Sequence, residues 1–262
     1  MCVDAVYSSV AAYSSFSVWM AVITYSLQIY YDFSGYSDMA IGIGKMLGFD
    51  LGENFNLPYL AKRPSEFWKR WHISLSSWFR DYVYIPLGGN RKGKIRTYLN
   101  LFFTMLLSGL WHGGSWAFII WGTLHALASV LNKMYSDVII RFRGNNDGDN
   151  KIAGFVSVAI NFFWVTILWI PFRTNDVSES LYIIKKLFAG ANGITYIYDY
   201  SIIFAILLLV VEIYAVIKNK GNYPVKALNL GTFWNKVILI CFVIIAFVFS
   251  YVGNTAFIYS QF

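Results

Sequence analysis

TYLNLFFTMLLSGLWHGGSWAFIIWGTLHALASVLN, residues 97–132, contains no aspartate, glutamate, lysine or arginine. At 36 residues it is long for one membrane span and short for two. An α-helix rises about 1.5 Å per residue, and the hydrocarbon core of a bilayer is about 30 Å thick. TYLNLFFTMLLSGL would cover about 21 Å and SWAFIIWGTLHALASVLN about 27 Å at that rise. Between them stands Trp111-His112-Gly113-Gly114, a titratable ring beside a glycine pair. Broken helices at membrane depth are tolerated only where they are buried in protein or line a cavity. The stretch therefore reads as two short helices meeting at an apex, with His112 at the break.

The rest of the chain agrees with a membrane setting. Of 262 residues, 57% are hydrophobic and only 13% charged, against about 25% charged in a soluble domain. The fold class expected is all-α, a polytopic integral membrane protein with re-entrant or broken helices, in a single domain over 1–262. Aromatics at 19% suit interfacial belts. The net charge of +7 comes from basic residues set between apolar blocks. That pattern fits cytoplasmic loops under the positive-inside rule, and no nucleic-acid recognition motif accompanies it. Cys2 and Cys241 give no disulfide framework, and no charged segment of a signal peptide precedes the first apolar run.

SFSVWMAVITYSLQIYY reads as a first span ending at Asp32, and the glycine-rich SGYSDMAIGIGKMLGFD as a separate interfacial or re-entrant helix. Its Gly42-x-Gly44 lacks the strand and third glycine of a dinucleotide loop. Residues 133–151 read as a polar loop whose NNDGDN turn lacks calcium-ligand spacing. Further spans are expected at Ile152–Phe172, closed by Pro171, at Ser201–Ile217 with Glu212 inside it, and at Val237–Val252. LYIIKKLFAG between them reads as an interfacial helix.

Residues 61–96 differ from everything else. They hold nine of the 21 basic residues and only two acids, Glu66 and Asp81. Trp68, Trp71, Leu75, Trp78 and Phe79 follow three/four spacing, which predicts one basic amphipathic helix on the cytoplasmic membrane surface. Ionisable groups in membrane segments are functional candidates by default. Of the three histidines, His112 stands out because a cavity at its glycine break would let the imidazole act as a general base on a hydroxyl. His72 lies on the basic segment near a donor's entrance, and His125 reads as a packing residue. Separations of 40 and 13 residues fit no zinc spacing, so no metal is expected. Ser108 stands four residues before His112, but no acid completes a triad.

YYDFSGYSDMAIGIGKMLGFDLGENFNLPYLAKRPSEFWKRWHISLSSWFRDYVYIPLGG, followed by NLFFTMLLSGLWHGGSWAFIIWGTLHAL, resembles the membrane-bound O-acyltransferase family in its bacterial alginate O-acetylation branch. The likeness runs over about residues 20–130, the motif-bearing core, and the closing FIYSQF resembles the end of that branch. Residues 133–262 otherwise add only a hydropathy match, read as C-terminal transmembrane helices.

The resemblance implies a multi-pass enzyme of the cell membrane that moves an acyl group to a hydroxyl. The family's invariant histidine maps onto His112 and its second motif histidine onto His72. The donor expected is acetyl-coenzyme A or an acyl carrier thioester, with no bound cofactor. Trp111, Lys69, Arg70, Arg80 and Asp81 are the candidate donor- or substrate-binding residues. The acceptor expected is an extracytoplasmic polysaccharide or a partner transferase, and an acyl carrier protein is a candidate partner. D-Alanyl transfer to teichoic acid is the alternative, disfavoured by YIPLGGNR; a non-catalytic membrane remnant is the other. Members of this branch carry further spans before YYDFSGYSD, so the chain is expected to correspond to the C-terminal part of the fold.

Overall fold

The computed structural model describes residues 2–143, 151–196 and 200–218, with six scattered helical positions between 233 and 244. The expected last span at 237–252 falls mostly outside the described residues, and the NNDGDN turn and the FIYSQF end fall wholly outside them. The described residues form helices: α1 (Cys2–Ser8), α2 (Ser15–Met46), α3 (Pro64–Arg70), α4 (Ile73–Phe79), α5 (Lys94–His112), α6 (Trp116–Arg143), α7 (Lys151–Thr174), α8 (Val177–Phe188) and α9 (Tyr200–Lys218). Among them no strand forms, and one parallel bridge joins Tyr13 to Ile194. One described helix, over Ile152–Thr174, is long and apolar enough by itself to cross a bilayer.

Helix α2 corrects the first expectation. It runs unbroken for 32 residues, through Asp32 and the glycine-rich stretch, a length of about 48 Å. A glycine costs about 1 kcal/mol relative to alanine in a helix. Burial of Phe33, Ser34, Ser37 and Ile41 on one face outweighs that cost. The helix stops at Gly48, at φ +86, where Gly48 N–H bonds to the Lys45 carbonyl and Phe49 N–H to that of Gly44. This pair of bonds satisfies the orphan carbonyls of the last turn.

The second correction concerns residues 64–84. The predicted single amphipathic helix is split into α3 and α4 at Trp71–His72, with His72 at φ +44, and continues into a π-helical turn over Arg80–Tyr84. The backbone leaves the helical path to pair with the preceding loop. Asn56 N–H bonds to the Arg70 carbonyl and Ile73 N–H to that of Asn54, both at 2.9 Å. The aromatic stripe divides accordingly: Phe67, Trp71 and Phe79 are buried, whereas Trp78 is exposed.

Trp71 joins an aromatic core with Tyr30, Phe55, Tyr59 and Trp169, at ring separations of 5.0–6.2 Å. The Tyr59 hydroxyl donates to the Ser26 carbonyl and accepts from Trp169 Nε1. These bonds fix the loop between α2 and α3 against α2 and α7. Helix α8 lays Ser180, Ile183 and Leu187 inward, and its Asp176 cap accepts from Glu179 N–H. Pro171 lies inside the end of α7 rather than closing it, and Asn175, at φ +53, follows that helix.

Helices α5 and α6 form the expected hairpin, broken at Gly113–Ser115. The supposed polar loop after 132 begins as helix, since α6 continues to Arg143. The two helices meet backbone to backbone. A Cβ on Gly109 would lie 2.6 Å from the Phe118 carbonyl oxygen and 2.9 Å from Gly122 Cα. Small residues are what permits such approach between membrane helices. Because rigid backbone is the obstacle, Gly109→Val and Gly122→Val are expected to cost about 1–3 kcal/mol or more. Both should lower the melting temperature in detergent, while Gly42→Ala, which meets nothing within 4 Å, should leave it unchanged or raise it.

Candidate functional site

Helix α5 carries a polar stripe through its apolar sequence: Thr97, Asn100, Thr104, Ser108 and His112, spaced by three or four residues. All five are buried. Thr97 and Thr104 return their hydroxyl protons to the carbonyls of Gly93 and Asn100. Asn100 donates to the carbonyls of Gly89 and Leu87 and so holds the Pro86–Asn90 turn. The stripe delivers His112 to the helix end, 7% exposed. Its ring lies 5.0 Å from Phe172, 5.1 Å from Trp111 and 5.3 Å from Trp121. Its Nδ1 is sealed, with no hydrogen-bond partner among the described residues. Gly113 follows at φ +153, and a Cβ there would strike the Phe118 ring at 2.9 Å. The glycine is thus the space that lets the aromatic wall close on the histidine.

His72 arrives by a different route. Its left-handed backbone turns the ring toward Phe33, edge to face at 4.7 Å. Nδ1 lies 3.2 Å from Asn54 Oδ1 and 3.2 Å from Ser74 Oγ. Burial pushes its pKa down to about 4, so the ring is neutral at physiological pH. His72 packs on Phe33 and His112 on Trp121 and Phe172, all members of one hydrophobic core cluster. The two histidines singled out from the sequence therefore share one interior. His125 is buried against Trp121 and Trp68, at 4.8 and 5.0 Å.

A cavity of about 460 Å3 opens between the α3–α4 segment and the α5–α6 hairpin. Arg63, Lys69, Arg80 and Lys133 bring positive charge to its walls, and Ser108 and Ser129 bring buried hydroxyls. Ser108 is one helical turn from His112 on the same face of α5. Lys133 is held by Asp137 at 2.7 Å, and Asp137 also accepts from the Tyr98 hydroxyl at 3.0 Å.

Of the residues expected at the donor site, Lys69 and Arg80 line this cavity. Arg80 also binds its neighbour Asp81 at 2.7 and 3.0 Å. The guanidinium holds the Asp81 carboxyl below its usual range. Arg70 turns instead to Glu66, at 2.7 Å. Trp111 is 57% exposed and meets His112 edge to face, away from the cavity. At the hairpin tip a second, shallower cleft involves Ser115, Trp116, Asn175 and Asp176, with the Ser115 hydroxyl donating to Asn175 Oδ1. No cluster of three metal-ligating side chains occurs among the described residues. Ser129 and the Lys133–Asp137–Tyr98 group were not singled out from the sequence, and Ser108 was weighed there only as a triad member that lacked an acid. The period of the polar stripe in 97–112 is the signal that places Ser108 on the face of His112.

The model of the membrane-bound O-acyltransferase family matches residues 2–174. A probable alginate O-acetylase AlgI of Pseudomonas syringae pv. tomato is 46% identical over 179 residues, covering 66% of this chain and 31% of that protein. A peptidoglycan O-acetyltransferase of Helicobacter pylori is 41% identical over 182 residues, covering 70% and 33%. A teichoic acid D-alanyltransferase of Streptococcus thermophilus is 34% identical over 166 residues, covering 61% and 39%. The chain spans about a third of the length of the curated relatives it matches.

The neutral state of His72 sets a pH dependence. A histidine whose folded pKa is about 4 and whose unfolded value is about 6.5 binds its proton first in the unfolded chain. Its cost to stability is absent above pH 6.5 and grows as pH falls toward 4. The melting temperature should drop over that window, and His72→Gln should flatten part of the slope.

Proposed function

The chain belongs to the membrane-bound O-acyltransferase family, and from that premise we propose that it acts in an enzyme transferring an acetyl group across the plasma membrane. The donor is a cytoplasmic thioester, acetyl-coenzyme A or an acetylated carrier protein. The acceptor is a hydroxyl of an extracytoplasmic polysaccharide or of a partner transferase. The reading places the chain in the plasma membrane as a multi-pass protein, with α5, α6, α7 and α9 as spans and the α3–α4 segment at the cytoplasmic surface.

One observation carries the proposal: the cation-walled cavity of about 460 Å3 whose lining residue Ser108 stands one turn from His112. Coenzyme A and the phosphopantetheine arm of a carrier protein both end in a thiol and carry phosphate. Arg63, Lys69, Arg80 and Lys133 suit the phosphate, and the apolar lining of Leu101 and Met105, on the helix that carries His112, suits the acyl end; His112 itself does not line the cavity. His112 serves as general base. As the acceptor oxygen attacks the thioester carbonyl, the base takes its proton, the C–O bond forms, the C–S bond breaks, and the proton goes to the leaving thiolate. His72 is the second imidazole of the site. Asp81 and Arg70 shape the cationic segment through their ion pairs with Arg80 and Glu66, and Trp111 covers the exposed edge of His112.

Acetyl is preferred to D-alanyl because the two O-acetylating relatives are 41% and 46% identical and the D-alanyl one 34%. The test is replacement of the gene at its own locus by wild type or His112→Ala, with acetate and D-alanine released from the cell surface by mild base. We expect acetate to fall at least 100-fold in the mutant at unchanged membrane level. D-Alanine loss instead would move the chain to the teichoic-acid reaction. No change in either ester would overturn the catalytic role and leave a structural membrane subunit. Lys69→Ala and Lys133→Ala should raise the donor KM several-fold with a smaller effect on kcat, the pattern of lost ground-state binding.

A further inference from the structure

Asn54 lies on the loop between α2 and α3, in the LGENFNLPYL stretch and not among the site residues picked from the sequence, yet its backbone and side-chain oxygens both reach the His72 corner. Its backbone carbonyl accepts from Ile73 N–H at 2.9 Å. Its Oδ1 accepts from Ser74 N–H at 3.2 Å and from Ser74 Oγ at 2.9 Å. Its Nδ2 donates to Ser37 Oγ at 3.0 Å. These contacts fix which way the amide points. A backbone N–H can only donate, so the atom facing Ser74 and His72 is the oxygen.

That orientation constrains the histidine. His72 Nδ1 stands 3.2 Å from an oxygen that has only lone pairs to offer. A lone pair on Nδ1 would face them in repulsion, whereas an N–H would make a hydrogen bond. The Ser74 hydroxyl has one proton and two neighbours, Asn54 Oδ1 at 2.9 Å and His72 Nδ1 at 3.2 Å. It reaches the nearer oxygen, and its own lone pair is then free to share the Nδ1 proton. Only one nitrogen of a neutral imidazole carries a proton, and the hydrogen bond at one ring nitrogen sets the state of the other.

We propose that Asn54 is a positioning residue for His72: its side-chain oxygen holds the proton on Nδ1 and so leaves the basic lone pair on Nε2. The role deepens the reading of His72 as part of the transfer site and rests on that reading. The same side-chain oxygen accepts from Ser74 N–H and the Asn54 backbone carbonyl from Ile73 N–H, the first two N–H groups of α4, which helix geometry leaves without partners. One side chain therefore sets both the backbone turn that presents His72 and the chemical form in which it is presented.

The first measurement is independent of acyl transfer. The full chain, labelled with 15N-histidine and held in lipid nanodiscs, gives three imidazole patterns, and His72→Gln assigns one of them. Long-range 1H–15N correlations distinguish the two tautomers. The expected wild-type form carries its proton on Nδ1. Asn54→Asp, which still offers an oxygen, should keep that form, and Asn54→Leu should release it to a mixture. Ser74→Ala should keep it too, and guards against misfolding of Asn54→Leu.

A wild-type His72 protonated on Nε2, or a tautomer lost in Ser74→Ala and kept in Asn54→Leu, would overturn the proposal in favour of the Ser74 hydroxyl. In the acetate assay Asn54→Leu should lower the released acetate at least 10-fold at unchanged membrane level, and Asn54→Asp should retain most of it. Equal activity of Asn54→Leu and wild type would overturn the functional half. Absence of His112-dependent acetate in wild type would instead sink the acyltransferase reading and leave the tautomer result standing.

Discussion

The contact of Gly109 with Gly122 is the constraint on which the site depends. Two helices of ordinary side chains sit about 8–10 Å apart; here a Cβ on either glycine would come within 2.9 or 3.0 Å of the other's Cα. That closeness is available only because neither residue has a side chain. It lets Phe118 and Trp121 reach across to His112 from the returning helix. It also sets Ser108 and Ser129 on the walls of the same cavity. A hairpin spread by one methyl group would lose these placements together, since interiors are packed too densely to absorb the change locally.

Irregular backbone next to such a hairpin needs its own hydrogen bonds. The turn at Pro86–Asn90 hands its carbonyls to Asn100. The loop over 54–60 hands its groups to Arg70, Ile73 and Ser26. In both, a side chain completes the pairing: Asn100 from α5 in the first and Tyr59 of the loop itself in the second. A backbone group buried without a partner costs about 2–7 kcal/mol. The polar stripe of α5 thus holds a turn at one end, through Asn100, and carries the candidate base His112 at the other.

Much of this was legible in the sequence. The uncharged run of 97–132 with its glycine pair announced the hairpin and its apex, because length against bilayer thickness leaves few alternatives. The cationic character of 61–96 was equally plain. Two features were not. Glycines in 35–44 suggested a break, but propensity is a weak prior against a buried face, and α2 runs through them. The three/four spacing of Trp68, Trp71, Leu75 and Trp78 suggested one helix, yet pairing with residues 54–56 diverts the backbone at His72. That pairing joins Asn56 to Arg70 and Asn54 to Ile73, 14 and 19 residues apart in the chain, and leaves no periodic trace. Arg70 shows the same limit: its charge was visible, but Glu66 one turn away had already engaged it.

His72 is where these threads join. A non-glycine residue at φ +44 carries about 1–2 kcal/mol of strain. The strain persists because the surrounding bonds overdetermine it: Asn56 to Arg70 and Ile73 to Asn54 on the backbone, Ser74 and the imidazole itself on the Asn54 side chain. A helix continued straight through Trp71 would relieve the strain and carry the ring away from Phe33 and Asn54. The histidine's place in the interior is therefore maintained by a loop rather than by its own helix. His112, by contrast, is fixed by helix periodicity and a glycine contact. The two imidazoles can thus be moved independently by different substitutions, one set in the 54–56 loop and one in the α5–α6 seam. Function that depended on both would respond to each, and stability would respond most to the seam.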